Sequence, residues 1–267
     1  MRHCYVLRVF TRGDDGGNHL GVVTDVTGLD AAAMQEIAAD LGFSETIYVD
    51  WRAGGVPGVR IFTPVAEIPF AGHPLVGAAW VLGSMGPGTV DRMRCDIGEV
   101  RFTAAGDRAE VLIPAAAEVS AAPEATAVAR RTGLPDPLEA WWARMPVSYL
   151  VMEFATPESV AGATPDIARL RAGPSARGTY LVAPAPGGRV KARFFAPALG
   201  VDEDPATGSA ATALAAVRAH CGFSSGVLTI DQGDEIGHPS TIEVSWDPDT
   251  WVLSGTVRRD EVRVLER

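Results

Sequence analysis

Nine consecutive residues, PLVGAAWVL at positions 74–82, decide the fold because the helix that they predict has no polar face. Pro74 suits the first turn of a helix, and Gly83 suits its end. A helix that is apolar all round has to be enclosed on every side. A second segment of this kind occupies residues 210–217. The sequence therefore predicts two wrapped helices, each with its own surrounding layer.

Short strand-like segments flank both apolar helices and supply those layers. Runs of alternating or β-branched residues, separated by turn residues, are typical of strands. They predict strands at 3–10, 19–23, 47–49, 58–63, 90–95, 99–104 and 109–113, and again at 147–154, 179–183, 190–196, 226–230, 241–246, 250–257 and 261–265. One amphipathic helix is predicted between Asp30 as its N-cap and Gly42 as its stop.

The two halves of the chain repeat one order of elements. The tripeptides FTP at 62–64 and FAP at 195–197 each precede an acidic loop, a glycine and an apolar helix. This order favours an internal duplication, although a chance recurrence of Phe-x-Pro is the alternative. Residues 115–131 lack a strand pattern and predict a domain junction that runs into a surface helix. We therefore expect one domain at 1–116, completed by a C-terminal strand at 257–267, and a second at 117–256.

Charge and cysteine content exclude several classes of protein. The chain has 23 Lys and Arg against 33 Asp and Glu, a net charge of −10, which disfavours nucleic acid or an anionic membrane surface as a partner. No apolar run reaches the ~18 residues that a membrane span needs. Cys4, Cys95 and Cys221 are too widely spaced for a zinc site or a disulfide framework. With no signal-peptide pattern at residues 1–6, we expect a cytoplasmic protein.

Polar residues gather where the two apolar helices begin. His73 lies just before the first apolar segment, and Asp204, Thr207 and Ser209 lie before the second. The free backbone N–H groups of a helix start attract anions, including carboxylates. Glu45, between a helix stop and an apolar strand, is a third candidate. If the two helix starts face each other, a small acid would be held between them.

Four stretches of the sequence resemble the PhzF-like (phenazine biosynthesis-like) isomerase family. They are VFT at 9–11 through GNHLGVV at 17–23, SET at 44–46, RIFTP at 60–64 through FAGHP at 70–74, and FAP at 195–197 through EDPATGSA at 203–210. The resemblance covers most of the chain. It implies an α+β fold of two similar diaminopimelate epimerase-like domains, each a β-barrel around a central buried helix. It also implies an active site in the cleft between the domains.

The resemblance assigns roles to the polar residues at the helix starts. It implies that Glu45 is the general acid and base, and that His73, Asp204 and Ser209 are catalytic residues that hold and polarise the substrate. The residues expected to bind the substrate are Asn18, Gly72, Thr207 and Gly208, with the amides near the two glycines holding its carboxylate. It further implies no cofactor, no metal and a homodimer.

The expected function is a cofactor-independent isomerase in secondary-metabolite biosynthesis that moves a proton along a conjugated small carboxylic acid. A carboxyl group shielded from water can take and return that proton, because burial raises its pKa from ~4.3 toward neutrality. Related epimerases use two cysteines on opposite faces of the substrate. None of the three cysteines falls at a helix start, which favours a carboxylate instead.

Several alternatives stay open on the sequence alone. One is an epimerase or racemase with Glu45 and Asp204 on opposite faces of one carbon, and another is a non-catalytic protein that binds small acids. A Ser/His/Asp hydrolase is disfavoured because the Gly-x-Ser-x-Gly elbow is missing. His19 stands where the family often has Pro, and His238 where it usually has Arg. These two departures leave the identity of the substrate open.

Overall fold

The computed structural model describes residues 2–51, 55–84, 90–113, 117–175 and 177–265. The elements of the first half are β1 (Arg2–Val9), β2 (Asn18–Val23), α1 (Ala31–Leu41), β3 (Glu45–Asp50), β4 (Gly58–Phe62), β5 (Glu67–Ile68), α2 (Gly72–Ser84), β6 (Arg92–Cys95), β7 (Gly98–Ala105) and β8 (Arg108–Leu112).

The second half continues with shorter helices and longer strands. Its elements are β9 (Glu118–Ala121), α3 (Ala125–Arg131), β10 (Glu139–Arg144), β11 (Ser148–Glu153), α4 (Pro157–Ala161), α5 (Ile167–Arg171), β12 (Thr179–Ala185), β13 (Arg189–Ala196), β14 (Val201–Asp204), α6 (Gly208–His220), β15 (Gly226–Gln232), β16 (Ser240–Trp246) and β17 (Trp251–Leu265). Short 3-10 turns lie at Pro186–Gly188, Pro197–Leu199 and Asp234–Ile236.

Eight strands close into a barrel around α2. The pairing runs β17–β1–β2–β3–β4–β6–β7–β8 and returns to β17. Ten of the thirteen residues of α2 are buried. A Cβ added at Gly77 would lie 2.3 Å from Leu20 of β2, so only glycine fits this close approach. The apolar stretch 74–82 is therefore enclosed on all sides, as predicted.

A second set of eight strands forms the sheet that packs around α6. Its order is β9–β10–β11–β12–β13–β15–β16–β17, and α6 packs against β9, β10 and β11 on one side and β15 and β16 on the other. Ten of the thirteen α6 residues are buried, and five of these ten are alanines, which let the strands approach closely. The predicted fold class, α+β with two similar lobes of strands around a buried helix, is confirmed.

A single long strand, β17, belongs to both sheets. Residues 251–254 pair with β16, residues 252–256 with β8, and residues 257–265 with β1. The expectation of two strands, 250–257 and 261–265, was wrong because pairing with β1 continues through the polar residues 258–261, with a register shift at Val6/Leu7. We call β1–β8, α1, α2 and residues 257–265 the first lobe, and residues 117–256 the second lobe. The domain bounds given above stay a prediction.

Helices also cover the outer faces of both sheets. Asp30 caps α1 by accepting a hydrogen bond from the Ala33 amide at 2.9 Å, and Gly42 ends it with φ 67°, as predicted. The segment 115–131 differs from expectation. Residues 114–116 lie outside the described residues, 118–121 form the edge strand β9, and α3 buries one face of Ala125, Val128 and Ala129. Pairing with β10 creates β9, and no local pattern encodes that tertiary contact.

None of the described helices combines the length and the apolar character that a bilayer crossing requires.

Candidate active site

The two buried helices begin side by side where the lobes meet. Gly72 opens α2 and Gly208 opens α6, and a Cβ added to Gly208 would lie 3.2 Å from the Gly72 Cα. The second residues of the two helices are His73 and Ser209, both buried. The predicted meeting of the helix starts is therefore present, and it brings the polar residues of both halves together.

Strand ends deliver the remaining polar groups to this point. Glu45 is the first residue of β3 and lies beside Leu20 of the parallel strand β2, whose first residue is Asn18. Asp204 is the last residue of β14. Polar side chains at the ends of buried strands can face a cleft without disrupting the core. Glu45, Asn18 and Asp204 thus join His73 and Ser209 in one cluster at the helix starts.

Asp204 is held by three hydrogen-bond donors. Its Oδ1 accepts from Asn18 Nδ2 at 2.8 Å and from Ser44 Oγ at 2.9 Å, and its Oδ2 accepts from Thr207 Oγ1 at 2.6 Å. Burial raises the Asp204 pKa to about 6, while the three donors oppose that rise by favouring the carboxylate. Gln232 Nε2 in turn donates to Thr207 Oγ1 at 3.0 Å. The Asp204 side chain is therefore fixed in position.

Glu45 lies in the opposite situation. Its side chain is 14% exposed, and its Oε2 has no hydrogen-bond partner among the described residues. Burial raises the pKa of this carboxyl well above its usual range, and the charge of Asp204 raises it further. Of the two carboxyl groups, Glu45 is the one whose geometry favours the protonated form, because nothing donates to its Oε2.

His73 lies behind the two carboxyl groups, next to Glu45 and next to Asn18, the residue that donates to Asp204. Its Nδ1 lies 3.4 Å from Glu45 Oε2 and 3.4 Å from Asn18 Nδ2. Burial lowers the His73 pKa to about 3, so the imidazole is neutral at physiological pH. The two Asn18 amide hydrogens are directed to Asp204 Oδ1 and to Ala206 O at 3.1 Å. His73 therefore has a hydrogen available for Glu45 in one of its two tautomers.

A cleft between the lobes exposes part of this cluster. The inter-lobe cleft is narrow in this structure, with an internal volume of about 30 Å³. Its polar lining consists of Glu45, Tyr149, Arg177, Asp204, Thr207 and Ser209. Its apolar walls include Ile68, Phe70, Val147, Phe194 and Leu199. The cleft therefore presents two carboxyl groups and a serine hydroxyl beside apolar side chains, a surface suited to contact with a small, partly apolar molecule.

The predicted site residues divide into two layers. Four of them line the cleft: Glu45, Asp204, Thr207 and Ser209. The other four, Asn18, Gly72, His73 and Gly208, are absent from that lining and lie behind it. Asn18 and His73 touch the lining carboxyl groups, whereas the two glycines contact each other. The roles predicted for Asn18, Gly72, His73 and Gly208 stay predictions. In this structure Asn18 and His73 contact the residues that line the cleft, not the cleft itself.

Sequence reasoning missed several residues of the site. Ser44 and Gln232 support Asp204, whereas Tyr149 lies in the lining with Ser209 and Arg177 is an exposed residue of the same lining. Burial raises the pKa of Tyr149, which keeps its hydroxyl protonated. Ser44 was within reach because it adjoins Glu45 in the SET stretch. The other three carry no local pattern, since distant strands and loops bring them in.

Two chemical alternatives lose support from these positions. None of the three cysteines lines the cleft, and the only exposed one is Cys221. Among the described residues, His73 contacts Glu45 and Asn18, whereas the Ser209 hydroxyl contacts Tyr149. A serine nucleophile would need the histidine as its base. No group of three or more His, Cys, Asp or Glu within the described ranges is arranged as a metal site.

His19 and His238 lie together outside the cleft lining. Their ring centroids are 5.6 Å apart, and His19 also stacks on Phe43 at 5.7 Å. Burial lowers the His19 pKa. Both departures from the family pattern therefore fall on one neighbouring cluster and do not change the surface of the cleft itself.

Comparisons with known proteins identify the family and agree with the fold. A family model described as "Phenazine biosynthesis-like protein" matches residues 7–263. A trans-2,3-dihydro-3-hydroxyanthranilate isomerase from Pseudomonas chlororaphis is 34% identical over 252 residues, covering 90% of this chain and 88% of that protein. The crystal structure of a PhzF-family phenazine biosynthesis protein from Enterococcus faecalis matches with a TM-score of 0.83 at 23% identity, covering 99% of both chains.

A second solved structure carries a different functional title. It is a predicted epimerase from Pseudomonas aeruginosa, with a TM-score of 0.81 at 27% identity and coverage of 100% of both chains. The fold is thus shared by a protein described as a phenazine biosynthesis protein and by one described as a predicted epimerase.

Proposed function

The chain belongs to the phenazine biosynthesis-like protein family, and from this we propose that it is an isomerase that moves a proton along a conjugated small carboxylic acid by general acid–base catalysis. One observation carries the proposal. Glu45 is a buried carboxyl group that lines the cleft, and its Oε2 has no partner among the described residues. Such a group is free to exchange a proton with a bound molecule.

The unequal surroundings of the two carboxyl groups support Glu45 as the proton carrier. Asp204 uses both oxygens to accept hydrogen bonds, so it is occupied as a fixed negative charge. That charge and burial both raise the Glu45 pKa, which brings it closer to neutrality, where a carboxyl group both accepts and donates protons efficiently. The two carboxyl groups thus have separate tasks: Asp204 supplies a fixed charge, and Glu45 transfers the proton.

The proposed step balances without any further reactant. The Glu45 carboxylate takes a proton from one carbon, and the electron pair of that C–H bond spreads into the conjugated system. The Glu45 carboxylic acid then returns the proton to a different carbon, and the double bonds shift between them. Nothing is oxidised or reduced, so the step needs no cofactor.

The neighbouring groups act on position and polarity. A neutral His73 at 3.4 Å can donate to Glu45 and orient it, because hydrogen bonds in a site without its ligand are often long and tighten when the ligand binds. Ser209 and Tyr149 add two hydroxyl groups to the cleft wall for a polar substituent. The apolar walls keep water away from the charge that develops during transfer.

The names of the relatives support the proposed substrate class. Proteins named trans-2,3-dihydro-3-hydroxyanthranilate isomerases are 34% and 31% identical to this chain over about nine tenths of its length. By analogy with these relatives, the proposed substrate is a cyclic carboxylic acid with amino or hydroxy substituents. The proposed role of the protein is in secondary-metabolite biosynthesis. The homodimer and the cytoplasmic location expected from the sequence belong to the same proposal.

Turnover in deuterated water tests the proposal. The wild-type protein is incubated with trans-2,3-dihydro-3-hydroxyanthranilate in D₂O, and proton NMR follows substrate loss and deuterium at carbon. Glu45→Gln should lower the rate by about 10²–10⁴-fold. Glu36→Gln, on the exposed face of α1, is the matched control. A wild-type rate in Glu45→Gln would refute the role of Glu45 as the proton carrier. No conversion of this compound by the wild type would refute the proposed substrate class.

An epimerase is the second candidate, because Glu45 and Asp204 both line the cleft. Two facing carboxyl groups could deprotonate and reprotonate one carbon from opposite sides. The three donors on Asp204 count against this, since they stabilise its ionised form and so oppose its protonation. The same D₂O experiment separates the two: an epimerase exchanges deuterium at a single carbon and inverts it, whereas the isomerase moves the double bonds.

A further inference from the structure

Phe10 has a left-handed backbone conformation, with φ 66°, and no other non-glycine residue in the described part of the chain has one. An L-residue in this conformation brings its Cβ close to the following carbonyl oxygen, so the conformation is usually left to glycine. A bulky side chain there is a strained outlier. Such strain persists where the surrounding structure enforces it, and it concentrates at functional sites. The conformation of Phe10 is therefore a feature to explain.

Backbone hydrogen bonds across the lobe boundary enforce this conformation. Phe10 follows β1 of the first lobe, but its backbone binds to β16 and β17 of the second. The amides of Phe10 and Thr11 both donate to the Thr256 carbonyl oxygen, at 2.7 and 3.3 Å. The Thr241 amide donates to the Phe10 carbonyl oxygen at 2.9 Å. The chain is thus fixed to the second lobe at the point where β1 ends.

The left-handed turn also decides where the Phe10 ring points. Successive side chains of an extended strand point to opposite faces. Leu7 and Val9 of β1 lie in the core around the two buried helices, so an extended residue 10 would point to the other face. Phe10 nevertheless belongs to the same core and is fully buried. The strained turn therefore places the ring inside the molecule.

The Phe10 ring lies against two glycines of the second lobe. A Cβ added to Gly255 on β17 would lie 2.2 Å from Phe10 Cδ1, and one added to Gly208 would lie 3.1 Å from Phe10 Cζ. Gly208 is the first residue of α6. The ring therefore fills the space between β17 and the start of α6, and the absence of a side chain at Gly255 makes room for it.

This contact reaches the cleft through one residue. Ser209 follows Gly208 and lines the cleft, whereas Phe10 does not belong to the lining. The Cβ that Gly208 lacks would also lie 2.7 Å from Leu253 Cδ2 and 3.2 Å from the Gly72 Cα. The start of α6 is thus packed against all three neighbours. A smaller or displaced ring at position 10 would leave it free to shift, and Ser209 would shift with it.

We propose that Phe10 is a positioning residue of the inter-lobe cleft, whose ring fixes the start of α6 and thereby holds the Ser209 hydroxyl in place relative to Glu45. Because the ring lies outside the lining, its effect on a bound molecule passes through Ser209. The consequence for turnover rests on the proposed function, in which Ser209 contacts a polar group of the substrate while Glu45 moves the proton. The position of the helix start does not rest on it.

A double-mutant cycle on activity tests this role. The measured quantity is kcat/KM for trans-2,3-dihydro-3-hydroxyanthranilate in the wild type, Phe10→Leu, Ser209→Ala and the double variant. Phe154→Leu is the matched control, because Phe154 is 2% exposed and lies in a separate core cluster with the outer helices of the second lobe. Circular dichroism and melting temperature establish that each variant is folded.

We expect Phe10→Leu to lower kcat/KM by about 10–100-fold, since a misplacement of about 1 Å at a site can cost this much. In the Ser209→Ala background the same change should lower kcat/KM by less than about threefold, because the hydroxyl that Phe10 positions is gone. Phe154→Leu should melt at a lower temperature, since it leaves a cavity in a core, yet keep kcat/KM within about threefold of the wild type.

Gly255→Ala is an independent variant that keeps the phenylalanine. Its methyl group would lie 2.2 Å from Phe10 Cδ1 and displace the ring. It should therefore reproduce the kinetic pattern of Phe10→Leu, with a large loss in the wild-type background and a small one beside Ser209→Ala. Should Phe10→Leu fail to fold, this variant supplies the cycle.

Three kinetic outcomes would overturn the inference: a wild-type kcat/KM in folded Phe10→Leu, an equal loss with and without the Ser209 hydroxyl, or a loss in Phe154→Leu as large as that in Phe10→Leu. Failure of the proposed function is a separate result, seen as no conversion of the substrate by the wild type. Crystal structures of the wild type and of Phe10→Leu or Gly255→Ala then decide. A changed distance between Ser209 Oγ and the Glu45 carboxyl group keeps the positioning role, and an unchanged distance overturns it.

Discussion

Gly72 and Gly208 touch across the boundary between the lobes: a Cβ added to Gly72 would lie 2.7 Å from the carbonyl carbon of Gly208. The same added atom would lie 2.7 Å from the Ser209 amide nitrogen and from Leu253 Cδ2. Two of these three neighbours are backbone atoms, which cannot rotate away. The close contact of the two helix starts therefore depends on glycine at position 72.

Gly72→Ala should destabilise the protein by about 1–3 kcal/mol, because the methyl group forces the helix starts apart. At roughly 2–4 °C for each kcal/mol in a chain of this size, the melting temperature should fall measurably. Gly162→Ala is the control, since Gly162 is exposed at the end of α4 and its φ of −77° suits alanine. An unchanged melting temperature in Gly72→Ala would show that the lobes separate without cost.

The activity of the wild type should decrease at acid pH in a range above the ordinary carboxyl value of ~4.3. Glu45 must be ionised to take a proton from carbon, and burial with the Asp204 charge raises its pKa. Asp204→Asn removes that charge, so the acid limb of kcat/KM should move to lower pH even if the maximal rate falls. Initial rates between pH 4.5 and 9 measure the limb.

Asp202→Asn provides the matched control for this shift. Asp202 is exposed, pairs with Arg171 at 3.0 Å and lies two residues from Asp204. The acid limb of kcat/KM for Asp202→Asn should coincide with that of the wild type. A limb that stays in place in Asp204→Asn would mean that Asp204 does not influence the ionisation of Glu45.

Glu45→Gln should stabilise the protein at high pH. The folded-state pKa of Glu45 is raised, so its contribution to stability is complete below the unfolded value of ~4.3 and is lost as pH rises through the folded value. Glutamine has the same shape and never ionises. The gain in melting temperature over the wild type should therefore grow between pH 5.5 and 8.5, at roughly 2–4 °C for each kcal/mol.

Melting curves of Glu36→Gln across the same pH range give the baseline, since Glu36 is exposed on α1. The difference in melting temperature between Glu36→Gln and the wild type should be small and should not change with pH. A Glu45→Gln protein that loses stability as pH rises would contradict the burial of a neutral carboxyl group. A higher melting temperature of Glu45→Gln than of the wild type at high pH would show that Glu45 lowers the stability of the protein, as expected of a residue that serves catalysis.

Glu203→Gln should cost about 2–4 kcal/mol, because it leaves a buried guanidinium without its charge partner. The side chains of Arg193 and Glu203 are only 7% and 13% exposed and lie 2.7 Å apart. Arg193 also donates to the Ala163 carbonyl at 2.7 Å, which ties β13 to the loop after α4. Chemical denaturation measures the loss.

The exposed neighbouring pair is the comparison for that measurement. Asp202→Asn breaks an ion pair whose side chains are 57% and 59% exposed, and such pairs contribute about 0–1 kcal/mol. The variant should unfold within about 0.5 kcal/mol of the wild type. Equal losses in Glu203→Gln and Asp202→Asn would contradict the role of burial.

Local patterns were sufficient for most of the elements. The all-apolar stretches at 74–82 and 210–217 required enclosure, and both helices are enclosed. Asp30 and Gly42 marked the ends of α1 within one residue. The pairs β9–β10 and the two-residue β5 were missed, because a strand at an edge is created by its partner more than by its own sequence.

The sequence by itself determined which residue types would gather: a glutamate after a helix stop, and a histidine, an aspartate and a serine at two helix starts. Only the tertiary structure decided their order in space. Glu45 and Asp204 line the cleft, whereas His73 and Asn18 lie behind them. Ionisation and access to a ligand depend on burial and on donors from distant elements, such as Thr207 on Asp204 and the absence of any described donor on Glu45 Oε2. Residues of both lobes line the cleft, Glu45 and Phe70 from the first and Tyr149 and Ser209 from the second, and no neighbouring residue in the sequence encodes that meeting.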